Sequence, residues 1–177
     1  MQIHIETGDW KTLQHPCERI RLMVFVAEQG VPKAEEIDDL DPVSTHFVAW
    51  DEHHMTLGCA RMTPDGKIGR LAVLKPFRGR GVGRVLMEAV LNYAKKEGLQ
   101  TVRLNAQTHA RTFYEALGFK AEGDVFEECG IPHIKMMCSA LKCLLASGKL
   151  TRKPQEAHEW IPEEKSGEHR RHPAELQ

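Results

Sequence analysis

Apolar and polar positions follow one another along the chain in a pattern that predicts a mixed α/β (α+β) domain. Apolar residues at every second position, or in short runs between turn signals, indicate strands, whereas apolar residues three and four positions apart indicate helices. The predicted strands are residues 2–6, 46–51, 56–63, 68–74, 101–106, 119–127 and 133–138. The predicted helices are residues 17–27, 85–96 and 110–117.

This order of elements favours a central mixed, largely antiparallel sheet flanked by helices. The strands at 68–74 and 101–106 are joined by the helix at 85–96, so we expect a right-handed parallel crossover there. Ligands of such sheets usually bind beside the carboxyl end of the first crossover strand.

The apolar pattern weakens after about residue 145, and residues 149–177 are rich in Lys, Arg, Glu, His and Pro. A segment of this composition has too little apolar surface for a core of its own. We therefore predict one domain over residues 1–145 and a charged C-terminal tail or peripheral arm over residues 146–177.

Composition excludes several classes of function. The net charge is −1, which gives no support for a nucleic-acid-coating or membrane-surface role. The five cysteines form no CxxC pair, which indicates reduced thiols, and no stretch approaches the length of a membrane span. Histidine pairs lack companions at zinc-binding spacing, so we expect no metal. The sequence predicts a cytoplasmic protein without a membrane or nucleic-acid partner.

The most informative stretch is residues 75–84, KPFRGRGVGR, between a predicted strand and a predicted helix. Glycines let backbone N–H groups converge, and a helix start offers unpaired donors and the positive end of its dipole to an anion. The four cationic side chains in this window favour a multiply charged phosphate ligand. The spacing fits neither the Walker loop nor the Rossmann fingerprint.

Arg78-x-x-Gly81-x-Gly83 resembles the acetyl-CoA pyrophosphate signature of the GNAT superfamily of N-acetyltransferases. Asn105, followed by FYEALGF at 113–119, resembles the second cofactor motif of that superfamily. Residues 25–32 and 130–133 also resemble the ElaA-like subgroup of small acetyltransferases. The similarity spans about residues 2–140.

The resemblance implies a GNAT-type sheet and an enzyme that transfers an acetyl group from acetyl-CoA to a primary amine of a small molecule or peptide, without a metal. The backbones of Leu71, Ala72 and Val73 would pair with pantetheine, and Asn105 would contact it. The residues implied for pyrophosphate binding are Arg78, Gly79, Arg80, Gly81, Val82, Gly83 and Arg84. Tyr114 would be the general acid, and the last strands would pair in a homodimer.

Three predictions have open alternatives. The general base is predicted in the order Glu28, His133, His109, and for each of them a solvated surface role is the alternative. Tyr114 also has the helical spacing of a packing residue. A non-catalytic acyl-CoA-binding regulatory module is the alternative to an enzyme.

The acceptor is suggested only by charge. The connector at residues 33–42 contains Glu35, Glu36, Asp38, Asp39 and Asp41, which would form an acidic rim that attracts a cationic acceptor. The alternative is a solvated loop with acidic residues at helix starts. Arg61 would pair with this connector or receive an acceptor carboxylate or phosphate, and the sequence does not choose.

Overall fold

The structure, a computed structural model, describes residues 1–140 of the 177-residue chain. The predicted domain end at residue 145 and the predicted tail at 146–177 lie outside the described residues. The strands are β1 His4–Gly8, β2 Thr45–Trp50, β3 Thr56–Met62, β4 Lys67–Val73, β5 Thr101–Gln107, β6 Lys120–Glu128 and β7 Ile131–Ser139. The helices are α1 Trp10–Arg21, which continues as a π-helical segment Leu22–Glu28, α2 Lys33–Glu36, α3 Val82–Lys96 and α4 Arg111–Glu115.

The seven strands form one sheet in the order β1-β2-β3-β4-β5-β7-β6. Every neighbouring pair is antiparallel except β4 and β5, which are parallel and joined through α3. The predicted mixed, largely antiparallel sheet with one parallel crossover is confirmed.

Helices cover both faces of the sheet and bury a separate core on each. The core under α1 and the π-helical segment consists of Trp10, Leu13, Cys17, Ile20, Val24, Val48, Cys59, Ala72 and Leu74. The core under α3 includes Phe47, Leu57, Leu86, Met87, Val90, Leu91 and Leu104. α1 and α3 lie on opposite faces of the sheet. An opening between two strands would therefore connect the two sides of the molecule.

Such a gap opens between β4 and β5. These strands pair only where Lys67 meets Arg103 and Ile68 meets Leu104, and then they separate. The β3–β4 register shifts just beyond this point, and Arg70 there has a left-handed backbone with φ of 52°. A bulge of this kind bends a strand away from its neighbour and is common beside active sites. The rest of β4 therefore has a free edge.

Helix boundaries differ from the predicted ones where capping decides them. α1 begins at Trp10, seven residues before the predicted start, because Asp9 caps it by accepting a hydrogen bond from the Thr12 N–H at 2.8 Å. The first half of α1 was not predicted, because Pro16 and the polar residues around it interrupt the apolar pattern. α3 begins at Val82 because Gly81 is its N-cap.

The structure bears on two expectations from composition, the one about membrane spans and the one about reduced thiols. None of the helices within residues 1–140 combines the length and apolar character that a membrane span requires. Cys17, Cys59 and Cys129 are free thiols, as expected. The expectation of a reduced thiol is wrong for Cys138, which is disulfide-bonded.

Candidate active site

The β4–β5 gap widens into a cleft of about 1020 Å³. Its walls bring together residues that are far apart in sequence. The predicted site residues that line it are Leu71, Ala72, Val73, Arg78, Gly79, Gly81, Val82, Gly83, Arg84, Asn105, His109, Tyr114 and His133. Arg80 and Glu28, also predicted, are not part of this lining.

The free edge of β4 presents backbone groups to the cleft in alternation. The Leu74 N–H bonds to Leu57 O at 2.9 Å, so in this antiparallel pair the neighbouring residue Val73 points its N–H and C=O away from β3. Ala72 instead faces β3, and its oxygen lies 2.6 Å from where a Cβ on Gly58 would stand. By the same alternation the Leu71 backbone is open to an extended ligand, whereas at Val73 only the N–H is open, because Val73 O accepts a hydrogen bond from Arg78 Nε.

The glycine-rich loop forms one end of the cleft. Gly79 and Gly81 have left-handed φ angles of 74° and 86°, and a Cβ at either position would meet nothing within 4 Å. The first N–H that bonds back into α3 is that of Val85, to Gly81 O at 3.0 Å. The preceding amides of this turn are therefore not used by the helix, which is the arrangement that holds a phosphate.

Arg78 links the loop to β4 and to the end of the π-helical segment. Its Nε donates to Val73 O at 2.9 Å, and its Nη2 pairs with Glu28 Oε2 at 2.8 Å. Glu28, the first predicted general base, is thus the partner of an arginine at the end of the π-helical segment.

Tyr114 lies on α4 in an aromatic cluster. Its ring contacts those of Phe113 and Phe119 edge-on, with centroids 5.0 and 5.9 Å away. Burial raises the pKa of the Tyr114 phenol to about 12, so the side chain is protonated at neutral pH. The ring packs against the core while the residue also lines the cleft.

His133 lies on β7 opposite Gln107 of β5 and is stacked on Phe126 at 6.0 Å between centroids. Its Nδ1 is 2.7 Å from Ile131 O. A carbonyl oxygen only accepts hydrogen bonds, so Nδ1 carries a proton, and in the neutral tautomer that this contact selects the lone pair is on Nε2. Of the predicted bases, His133 is therefore the one in the cleft with an oriented ring.

The acidic connector does not form the open rim that the sequence suggested. Glu36 and Asp41 are buried and pair with Arg21, with Nε to Glu36 Oε1 at 2.6 Å and Nη1 to Asp41 Oδ1 at 2.7 Å. Arg61 pairs with Asp38 and Asp41 at 2.5 and 2.8 Å, which settles its use. Most of the connector's negative charge is thus neutralised inside the protein.

The pKa values of these carboxyl groups reflect their partners. Burial alone would raise the pKa of Asp41, but hydrogen bonds from Arg21 and Arg61 outweigh burial and lower it to about 2. For Glu36 burial prevails over Arg70 and Arg21 and raises the pKa. The cluster therefore serves to fix the connector against the sheet.

Known proteins share both the sequence and this arrangement. Residues 23–140 match the acetyltransferase (GNAT) domain family. The chain belongs to the GNAT acetyltransferases. It is 42% identical to the uncharacterized N-acetyltransferase YjcF of Bacillus subtilis over 67% of this chain and 86% of YjcF. It is 34% identical to the protein ElaA of Escherichia coli over 67% of this chain and 82% of ElaA.

Solved structures agree with this membership. The crystal structure of Escherichia coli ElaA has a TM-score of 0.69 and 30% identity, covering 77% of this chain and 99% of that one. An acyl-CoA N-acyltransferase from Pseudomonas aeruginosa has a TM-score of 0.69 and 32% identity, with the same coverage. The resemblance to the GNAT superfamily and its ElaA-like subgroup is confirmed, as is an acyltransferase family that uses a CoA-based substrate.

The cleft of this GNAT protein fits a coenzyme A thioester. The free β4 edge at Leu71 and the Val73 N–H suit the amides of a pantetheine arm, and the loop around Gly79 and Gly81 leaves room and donors for a pyrophosphate. Within residues 1–140, no group of three or more His, Cys, Asp or Glu side chains is placed to hold a metal ion.

The sequence did not reveal three further residues that line this cleft, Gln29, Gln107 and Cys129, although it did point to Glu128 in the final hairpin. Gln107 Nε2 bonds to Gln29 Oε1 at 2.9 Å, and Asn105 Nδ2 bonds to Glu128 Oε2 at 3.1 Å. These contacts join residues 78 and 23 positions apart, which no local pattern indicates.

Proposed function

We propose that the protein is an acetyl-CoA-dependent N-acetyltransferase that acetylates a primary amine by direct transfer. One observation carries the proposal: a single cleft joins the open β4 edge, the glycine-rich loop, Tyr114 and His133. A phosphate cradle, a thioester channel, a proton donor and a base are thus adjacent. The cytoplasm, as predicted from the sequence, is the proposed location.

The donor would lie along β4 and end at the gap. The loop amides and Arg78 would hold the pyrophosphate, and the backbone of Leu71 would bind the pantetheine amides as an added strand does. Asn105 on β5 would contact the arm from the other side. The thioester carbonyl would then lie near the Val73 N–H, which would stabilise the oxyanion.

His133 would prepare the amine for attack. An alkylammonium group has a pKa of about 10.4, so deprotonation at pH 7 costs about 4–5 kcal/mol. The free Nε2 lone pair of His133, oriented by the Nδ1 bond to Ile131 O, is suited to accept that proton. Glu28 is not proposed as the base, because Arg78 holds its carboxylate outside the cleft lining.

Tyr114 would complete the transfer. The neutral amine nitrogen forms a bond to the thioester carbon and releases its extra proton to solvent, the carbon–sulfur bond breaks with its electrons on sulfur, and Tyr114 gives that sulfur its proton. Solvent then returns a proton to the tyrosine. A phenol with a pKa of about 12 is fully protonated at neutral pH and is ready to donate.

Release of free thiol from acetyl-CoA in the presence of amines tests the proposal. The panel should contain polyamines, amino sugars, free amino acids and lysine peptides. We expect amine-dependent thiol release with at least one acceptor. Tight acetyl-CoA binding without thiol release on any acceptor would contradict the proposal and support a non-catalytic binding module.

We expect Tyr114→Phe to lower kcat by about 100-fold or more while the Kd for acetyl-CoA changes little. The ring would keep its contacts with Phe113 and Phe119, so only the proton donor is lost. Tyr93→Phe is the matched control, since the Tyr93 hydroxyl bonds to Thr45 Oγ1 at 3.0 Å outside the cleft. Equal losses in kcat and in binding for Tyr114→Phe would show that the residue only packs.

We expect His133→Gln to lower kcat/KM at pH 7 by about 100-fold. The ratio of kcat/KM between wild type and His133→Gln should decrease as the pH approaches the pKa of the amine, because a neutral amine no longer needs a base. His109→Gln, an exposed histidine that also lines the cleft, is the control and should leave the rate nearly unchanged. A deficit that stays constant with pH would show that His133 is not the base.

A further inference from the structure

Two side-chain bridges cross the gap on the face covered by α1. The first joins Gln107 Nε2 to Gln29 Oε1 at 2.9 Å. Gln29 follows the π-helical segment, which packs on β4, whereas Gln107 is the last residue of β5. The contact therefore links the two strands that separate to form the cleft, and both amides are partly buried.

The second bridge joins Cys129 Sγ to Glu35 Oε2 at 3.0 Å. Glu35 is in α2, and Arg70 of β4 donates to Glu35 O at 3.2 Å, so this end is anchored to β4. Cys129 is in the turn between β6 and β7, and β7 pairs with β5 along its length. This bridge again spans from the β4 side to the β5 side.

The supports of both bridges are fixed elements. α2 is held by the buried pair of Arg21 and Glu36, and β7 pairs with β5 over seven residues from Thr101 to Gln107. The start of the split, where Ile68 meets Leu104, closes the gap at one end. The β4–β5 gap, where we place the acceptor opening, is therefore bounded by these hydrogen-bonded elements. The two side-chain bridges cross it.

The charge around this opening suits a cationic molecule. Glu35 has the Cys129 thiol as its side-chain partner, and Glu128 has the Asn105 amide. Neither carboxylate has an ion-pair partner among residues 1–140. A protonated amine approaching the gap therefore meets two carboxylates without an ion pair of their own in this part of the chain, with Arg70 as a nearby cation against Glu35 O.

We propose that Gln29, Gln107, Glu35 and Cys129 determine acceptor specificity and limit the acceptor to small-molecule primary amines. This inference rests on the proposed acetyltransferase function. A lysine on a folded protein brings its neighbouring backbone to the opening, where the two bridges occupy the space. A small amine passes between them and reaches the thioester.

Acceptor selectivity of bridge variants tests the inference. Wild type, Gln29→Ala, Cys129→Ala and the double variant are compared by kcat/KM on linear alkyl amines, branched alkyl amines, a capped lysine amide and a folded lysine-rich protein. Gln14→Ala is the control, because it removes an exposed glutamine that bonds only to Glu18 on α1. Thermal unfolding and acetyl-CoA affinity confirm that each variant is folded.

We expect wild type to prefer small linear amines over lysines of the folded protein by about 100-fold, within the range that pocket shape achieves. The double variant should gain about 10-fold on branched amines relative to linear ones, and Gln14→Ala should not change selectivity. Equal wild-type rates on the folded protein, or unchanged selectivity in the folded double variant, would overturn the inference. Absence of thiol release with every amine would instead refute the proposed function.

Discussion

A Gly81→Val variant is expected to lose about 100-fold or more in affinity for acetyl-CoA while it remains folded. Gly81 has φ of 86° and caps α3, and valine in a left-handed conformation is strained by about 1–2 kcal/mol. The loop would shift to relieve the strain, and its amides would no longer converge. Loss of one or two hydrogen bonds to a charged phosphate costs about 3 kcal/mol, which corresponds to about 100-fold.

Gly98→Val is the matched control for this experiment. Gly98 follows the other end of α3, has φ of 75° and also has no atom within 4 Å of an added Cβ. The same strain therefore arises away from the cleft, so thermal stability should fall by a similar amount in both variants. Calorimetric titration should show lost affinity only for Gly81→Val. Unchanged affinity in that variant would refute the pyrophosphate site.

The donor side of the cleft could be predicted because its signals are local. The loop from Arg78 to Arg84 is contiguous, and its glycines, cations and following helix stand next to one another in the sequence. Gly79 and Gly81 do have the left-handed φ angles for which glycine is needed. Local geometry, helix dipole and phosphate chemistry all agree there, so a short pattern was informative.

The acceptor side could not be predicted in the same way, because long-range pairs decide its charge. Arg78 meets Glu28 across 50 residues, and Arg61 meets Asp38 across 23. Glu28 seemed a free carboxylate in the sequence, and the structure gives it a cation. His133 differs because its orienting partner, Ile131, is two residues away.

The sequence does not indicate that the two bridging glutamines meet. Gln29 and Gln107 are uncharged and common on surfaces, and although Gln29 lies in the ElaA-like segment at 25–32, nothing there points to Gln107. Their meeting depends on where the π-helical segment ends and on how far β5 continues past the split. Only the three-dimensional arrangement brings their amides to 2.9 Å.

The buried arginine cluster connects this acceptor side to stability. We expect Arg21→Met to lower the free energy of unfolding by about 3–5 kcal/mol, as breaking a buried ion pair does. Arg21 is 1% exposed, and its removal would leave buried Asp41 with Arg61 and buried Glu36 with Arg70 as their remaining cations, each carboxylate having lost its arginine at 2.6–2.7 Å. Its guanidinium also lies 5.5 Å from the Trp10 ring centroid, so the helix packing is weakened as well.

Urea unfolding at two pH values separates the ionic part of this loss from the packing part. Asp41 has a lowered pKa of about 2 in the folded state, so its contribution is present above its unfolded value of 3.8 and is lost as the pH falls toward 2. The difference in the free energy of unfolding between wild type and Arg21→Met should therefore decrease from pH 7 to pH 3, because the variant's carboxylates become protonated and no longer need a cation. Arg19→Met, an exposed arginine on the same helix, should change stability little at either pH. If the difference in unfolding free energy does not depend on pH, Arg21 stabilises the protein by packing, and α2 is not held against β4 by charge.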